Sequence, residues 1–240
     1  MRLAVAFLPE ELIYRADDAV IVVDAVRAGA TLTVIADNGN PLIFLADNAQ
    51  AALDYRNTQS PSAWVGGEQD GLPLPGFQFG NSPREVANMD FAGHEVVFGT
   101  VNGTRAARLA SAAKYVSIAS FLNVTAAAES AIHCKPESVK VVCAGSHRMF
   151  ALDDGVCAGL IAKAILSMGG DAEDSALASI ALADRYSDLY EMMRISDSGR
   201  RLISIGLEAD LDFCAKVDYS SRVPILSKNG LDSSNRLIAL

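Results

Sequence analysis

The chain is 240 residues long, half of them hydrophobic, with 20 basic against 29 acidic side chains and a formal net charge of −9. That length buries about 70–75 % of its unfolded surface and needs no staple to hold a core. The charge excludes a nucleic-acid or anionic-membrane partner, each of which needs a basic face. The densest apolar run, AVIVVDAV, is broken by Asp24 well short of the roughly 20 residues of a membrane span.

The N-terminal MRLAVAFLPEEL predicts a strand over 3–8 that stops at Pro9. It is too short for a signal-peptide core, so a cytoplasmic protein is expected. VIVVDAV predicts a second strand over 19–26, nearly continuous in apolar residues as a strand covered on both faces is. Asp24 lies near its carboxyl end and Arg27 where a helix over 28–38 begins, closed by Gly39. Ligands of open α/β sheets gather at the carboxyl ends of strands. Asp24 is therefore a candidate metal ligand or nucleophile and Arg27 a candidate catalytic cation. A plain helix cap at Asp24 with a solvated Arg27 explains the same residues equally well.

A strand over 42–45, a helix over 47–56 capped by Asp47 and a strand over 63–65 follow. Residues 66–81, GGEQDGLPLPGFQFGN, then break the rhythm with five glycines, two prolines and two acids. A loop of this length inside a domain is usually functional, and its aromatics and prolines argue against disorder. GNSPRE places Ser82 as N-cap, Pro83 at the first helical position and Glu85 as the capping-box partner of a helix over 83–89. Arg84 is not needed for capping and opposes the helix dipole, which points to an anion nearby.

After a strand over 94–100 comes FGTVNGTRAA, entering a helix over 104–113. Asn102-Gly103 can form a turn with exposed amides, Thr104 can cap the helix, and Arg105 again sits in a first turn against the dipole. With Arg27 and Arg84, this is the third arginine at such a place, and local arginines are the remedy for an acidic protein that binds an anion. A strand over 115–118, a helix over 124–133 and a strand over 139–143 lead to CAGSHRMFALDDGVCAG. There His147 is placed to donate a proton or bind an anion, and Asp153-Asp154 open a helix over 152–168. The two acids fit capping; they also fit metal coordination together with Asp24, Glu68 and Asp70, an all-oxygen set suited to Mg²⁺. A helix over 173–193 ends the regular pattern. Cys134, Cys143, Cys157 and Cys214 lack metal-site spacing and read as reduced packing residues.

The alternation predicts one α/β domain over 1–240, a layered α/β/α architecture with a largely parallel or mixed central sheet. Two sublobes with the site between them are a variant of it.

VVDAVRAGAT, GGEQDGLPLPGFQFGNSPRE, FGTVNGTRAA, ASFLNVTAAAE and VCAGSHRMFALDDGVCAG, in this order, resemble the 2-phosphosulfolactate phosphatase family, with a weaker echo in RRLISIGLEADLDFCAKVD. The resemblance implies a Mg²⁺-dependent hydrolase that removes phosphate from (2R)-phospho-3-sulfolactate on a route to coenzyme M. It also implies an α/β fold and a homodimer. The chain departs from the family's pattern at Ala28-Gly29-Ala30, at Gln69 and at Asp153. The candidate catalytic residues are then Asp24, Arg27 and His147, and the candidate Mg²⁺ ligands Asp24, Glu68, Asp70 and Asp154. The candidate substrate-binding residues are Asn81, Ser82, Arg84, Thr100, Asn102, Gly103, Thr104 and Arg105. Two alternatives stay open: a phosphatase for another small anionic phosphomonoester, and a non-catalytic anion-binding protein on the same fold. A haloacid-dehalogenase-type nucleophile needs a second Asp two residues on, where this chain has Val26.

Overall fold

The computed structural model of the chain describes residues 1–226 and 235–239. Its strands are β1 (Arg2–Ala6), β2 (Ala19–Val23), β3 (Leu42–Ala46), β4 (Trp64–Gly67), β5 (Glu95–Gly99), β6 (Tyr115–Ala119), β7 (Ser138–Cys143), β8 (Asp171–Ala172), β9 (Pro224–Leu226) and β10 (Asn235–Ala239). The helices are α1 (Ala28–Asp37), α2 (Ala49–Thr58), α3 (Pro83–Val86), α4 (Asn102–Leu109), α5 (Val124–His133), α6 (Leu152–Ser167), α7 (Asp174–Arg185), α8 (Leu189–Ile195), α9 (Asp197–Ser204) and α10 (Ala209–Cys214).

All strands belong to one sheet, in the order β4-β5-β3-β10-β9-β6-β2-β7-β1-β8. Two parallel sets are visible in it: β4-β5-β3, and β6-β2-β7-β1-β8. Between them β10 pairs antiparallel with β3 and with β9, and β9 pairs antiparallel with β6 through Ser117 and Ile225. Three antiparallel steps make the two sets run in opposite senses. Strand twist of about 20–25° per step, accumulated over the five steps from β5 to β2, turns their carboxyl ends toward one another. Every residue of β2 and β6 is buried, so both faces of these strands are covered. Helices α5, α6 and α7 pack in a row on this set, and α1 and α4 also pack on it. The larger core includes Ile21, Ile118 and Phe121; a smaller one under α2 holds Phe44, Val65 and Val97.

The expected class, mixed α/β with a mostly parallel sheet flanked by helices, is the observed one, and α5 has the expected bounds. Other boundaries differ for local reasons. Strand β2 ends at Val23, so Asp24 has already left it. Helix α2 is capped by Asn48, whose side chain accepts from the Ala51 amide at 2.9 Å, while Asp47 pairs with Arg108. Ser82 caps α3 as expected, but Glu85 reaches the Gly80 amide rather than closing the box on Ser82. Helix α4 starts at Asn102, two residues early; Thr104 lies inside its first turn and donates to the Ala46 carbonyl at 3.2 Å instead of capping. The single helix expected over 173–193 is two, because Asp188 caps a fresh start by accepting from Glu191. All four cysteines are free, three of them buried. Among the described residues no helix is long and apolar enough to cross a membrane.

Candidate active site

The carboxyl ends of β2, β4, β5 and β7 open onto one cavity of about 590 Å³. From the β4-β5-β3 side its lining includes Asn48, Glu68, Asp70, Asn81, Asn102 and Arg105. From the other side come Arg27, Ser146, His147 and Arg148, and α9 adds Ser198 and Arg201. Four arginines and two acids line the cavity in a chain of net charge −9, with Arg27 and Arg105 paired to Asp210 and Glu10 behind the lining.

Asp24 lies against this wall, 8 % exposed. Its Oδ1 accepts from the Ala28 amide at 3.2 Å, and the Gly103 amide also donates to it. Helix α4 packs on β2, and the approach is so close that a Cβ on Gly103 would lie 2.9 Å from Asp24 Oδ2. On the other flank a Cβ on Gly29 would lie 2.5 Å from the Ala119 carbonyl oxygen. Glycine is required at both places by space alone.

Three buried carboxyls gather here. Burial pushes Asp24 up to about 7, with the charges of Asp153 and Glu68 adding to it and the two amides pulling the other way. Burial likewise pushes Asp153 up to about 6. Asp154 is raised well above the usual carboxylate range by burial and then by the charges of Asp153 and Asp24. Both Asp154 oxygens are engaged: Oδ1 accepts from the Ala25 amide at 2.8 Å and Oδ2 from the Gly145 amide at 2.9 Å, tying the ends of β2 and β7 together. Asp153 was expected, with Asp154, to cap the helix or to join a metal-coordinating set; its Oδ1 is buried and has no hydrogen-bond partner.

The structure does not bring the four expected Mg²⁺ ligands together. Asp154 is occupied as described, and Asp70 is an exposed turn residue paired with Arg201 at 3.1 Å. Among the described residues no group of three or more His, Cys, Asp or Glu is disposed to hold a metal. Mg²⁺ commonly takes one or two carboxylates, water and substrate phosphate. Asp24 and Glu68 act on each other electrostatically, but Asp24 is held by the Ala28 and Gly103 amides and lies behind the residues of the lining.

The other candidates divide. Arg27 is buried and engaged: Nη1 pairs with Asp210 Oδ2 at 2.7 Å, and Nη2 donates to the Gly71 carbonyl at 2.8 Å. Ser82 donates to the other Asp210 oxygen at 2.6 Å, so both residues build the wall through α10. Arg105 lines the cavity, holds an ion pair with Glu10 and reaches the Ala144 carbonyl. Asn81 is 6 % exposed on the lining, and its Oδ1 has no partner. Thr100 and Thr104 are buried behind the lining. Arg84 is exposed and lies outside it. His147 is exposed at the mouth, and its Nε2 faces Arg201 Nη1 at 2.6 Å. Since arginine only donates, that nitrogen accepts, which leaves Nδ1 as the ring's donor.

Asp210, Arg148, Ser198 and Arg201 were not singled out from sequence. Arg148 adjoins a residue that was, and Arg201 stands in the RRLISIGL stretch of the tail.

The sequence profile of the 2-phosphosulpholactate phosphatase family matches residues 6–229. The chain is similar to a probable 2-phosphosulfolactate phosphatase of Thermus thermophilus, 38 % identical over 229 residues covering 94 % of each chain. A protein of the same description from Deinococcus radiodurans is 36 % identical over 94 % of this chain and 93 % of its own. One from Caldicellulosiruptor saccharolyticus is 34 % identical over 85 % of this chain and 86 % of its own. With the profile spanning nearly the whole chain and relatives matched over most of both lengths, the chain belongs to the 2-phosphosulfolactate phosphatase family.

Proposed function

We propose that the protein is a Mg²⁺-dependent phosphatase that hydrolyses 2-phosphosulfolactate to sulfolactate and phosphate in this cavity, on the route to coenzyme M. The observation that carries the reading is four arginines on one cavity of an acidic protein, with the Asp24 carboxyl buried against its wall. A substrate with phosphate, carboxylate and sulfonate carries roughly −4 near neutral pH. Only a local concentration of cations admits it to a protein of this net charge.

In this reading Arg105 and Asn102, at the start of α4, hold the phosphoryl oxygens. Each charge-assisted hydrogen bond contributes about 1.5–3 kcal/mol. Asp24 and Glu68 would hold Mg²⁺, which supplies charge neutralisation and polarisation of the phosphoryl group when bound. The amides of Ala28 and Gly103 fix the Asp24 carboxyl in one orientation, and Asp154 fixes the loop that carries it. His147 keeps Nε2 on Arg201 and so orients that guanidinium. Four free thiols suit a reducing compartment, and the proposal places the enzyme in the cytoplasm.

Phosphate release from 2-phosphosulfolactate is the test, with 2-phospholactate and other phosphomonoesters in parallel. Release that is abolished by a chelator and restored by Mg²⁺ is expected. Full activity in excess chelator rejects the metal, and faster release from another ester rejects the substrate.

A further inference from the structure

We infer that Glu10 is a positioning residue that sets the Arg105 guanidinium at the cavity, and that the reaction depends on Glu10 only through that arginine. The inference rests on the phosphatase reading, in which Arg105 holds the phosphoryl group, and deepens it.

Two adjacent acids follow Pro9, and they do different work. The 3₁₀ turn Pro9–Glu11 comes after β1, and Glu11 serves the turn itself. Its Oε2 accepts from the Phe7 and Leu8 amides at 3.1 and 3.3 Å. Glu10 takes no part in that and pairs instead with Arg105 on α4, 95 positions away, through Oε1 and Nη1. A second contact docks the segment on α4: the Tyr14 hydroxyl donates to the Leu109 carbonyl at 2.8 Å. On the other flank Phe7 meets Phe150 edge to face, with ring centroids 5.6 Å apart, in the connection between β7 and α6. Residues 7–14 thus bridge α4 and that connection, and Glu10 stands on the bridge.

Arg105 has little else to hold it. Its Nη2 reaches the Ala144 carbonyl at 3.5 Å, the outer limit of a hydrogen bond, and Glu10 is its one carboxylate partner among the described residues. The Arg105 side chain is only 20 % exposed, so the pair is partly shielded from water. Arginine carries five N–H donors in a rigid fork, and these two contacts leave three for a ligand in the cavity that Arg105 lines. An unpinned arginine loses its rotamer freedom when the anion arrives, whereas one held beforehand does not. Donors fixed before charge develops are the ones that stabilise a transition state. The Glu10 carboxylate also repels an anionic substrate, so a contribution to ground-state affinity is not its role. Its loss should therefore show in kcat rather than as a raised KM.

Phosphate release from 2-phosphosulfolactate by the full-length protein is measured for Glu10→Ala, Glu10→Gln, Arg105→Ala and the Glu10→Ala, Arg105→Ala double variant. Glu10→Ala is expected to lower kcat about tenfold without raising KM, less than the loss of Arg105 itself. Glu10→Gln keeps an oxygen that accepts from the guanidinium and should stay within about threefold of the parent. In the Arg105→Ala background Glu10→Ala should change kcat by no more than about twofold, because the group it positions is gone. An unchanged kcat in Glu10→Ala, or the same loss in both backgrounds, overturns the positioning role. Calorimetric binding of inorganic phosphate runs the same cycle without turnover. A Glu10→Ala effect on phosphate affinity that requires Arg105, with no ester hydrolysed, supports the positioning and overturns the phosphatase reading alone. Turnover with a Glu10→Ala effect equal in both backgrounds overturns the positioning alone.

Discussion

Arg27 and Asp210, 183 positions apart, form an ion pair with Nη1 and Oδ2 at 2.7 Å and side chains only 3 % and 4 % exposed. The pair closes the first and last thirds of the chain onto one wall of the cavity, with Ser82 and the Gly71 carbonyl completing it. Removing one partner leaves a buried uncompensated charge. Asp210→Ala is therefore expected to cost about 3–5 kcal/mol and lower Tm by about 6–20 °C. Arg27→Met combined with Asp210→Leu should recover most of that loss. Thermal unfolding of the single and double variants checks both statements, and an unchanged Tm in Asp210→Ala contradicts them.

Gly103→Ala places a methyl group 2.9 Å from Asp24 Oδ2. The carboxyl must move, and a displacement of this size in a catalytic group costs up to about 10²-fold. A fall in kcat of at least about tenfold is expected with Tm lowered by no more than about 4 °C. Comparable losses in folding and activity would mean that the backbone, not the carboxyl, gave way.

Arg105 and Arg84 both occupy first turns of helices, yet only Arg105 reaches the cavity. Arg105→Ala is expected to lower kcat/KM about 10²-fold, the scale for one preorganised charge-stabilising donor. Arg84→Ala should stay within about twofold, as exposed substitutions do. Kinetics of the two variants side by side decide the matter; equal losses would place an anion at α3 as well.

Stability without divalent cations should fall as pH rises. Asp24 is held at about 7 and Asp153 at about 6 in the folded chain, against 3.8 for an ordinary aspartate. A carboxyl raised on folding contributes its stability fully below the unfolded value and loses it as pH passes through the folded one. The free energy of unfolding in chelator is thus expected to drop as pH rises from the ordinary value of 3.8 to the folded value of about 7, and to level off above it. Asp24→Asn should remove the share of that drop that Asp24 contributes, raise Tm at the alkaline end and abolish phosphate release. A flat stability profile in the parent protein refutes the buried-carboxyl account, and an active Asp24→Asn enzyme refutes its catalytic role.

What the sequence disclosed follows from how local each feature is. Asp24 stood out because an apolar run ends beside it, and the loop 66–81 because its composition fits neither helix nor strand. Glu68, Asp70 and Asn81 of that stretch do line the cavity. The Arg27–Asp210 pair was hidden because nothing near Arg27 announces a partner in α10. The turn at His147-Arg148 was hidden because it lacks the Gly or Asn that usually marks left-handed backbone. Arg84 and Arg105 look alike in sequence, and only the packing of α4 on β2 separates them. The reversal between the two strand sets depends on β9 and β10, which no apolar period marks in the tail.

That reversal makes the site a joint between two wings. Glu68 and Asn81 ride on one wing and Asp24 and Arg148 on the other, while α4, which follows β5, reaches across to pack on β2. Among the described residues β6 meets β9 at one register pair, Ser117 and Ile225. The span available to a ligand that touches both sides is pinned where α4 packs on β2, with Gly103 against Asp24.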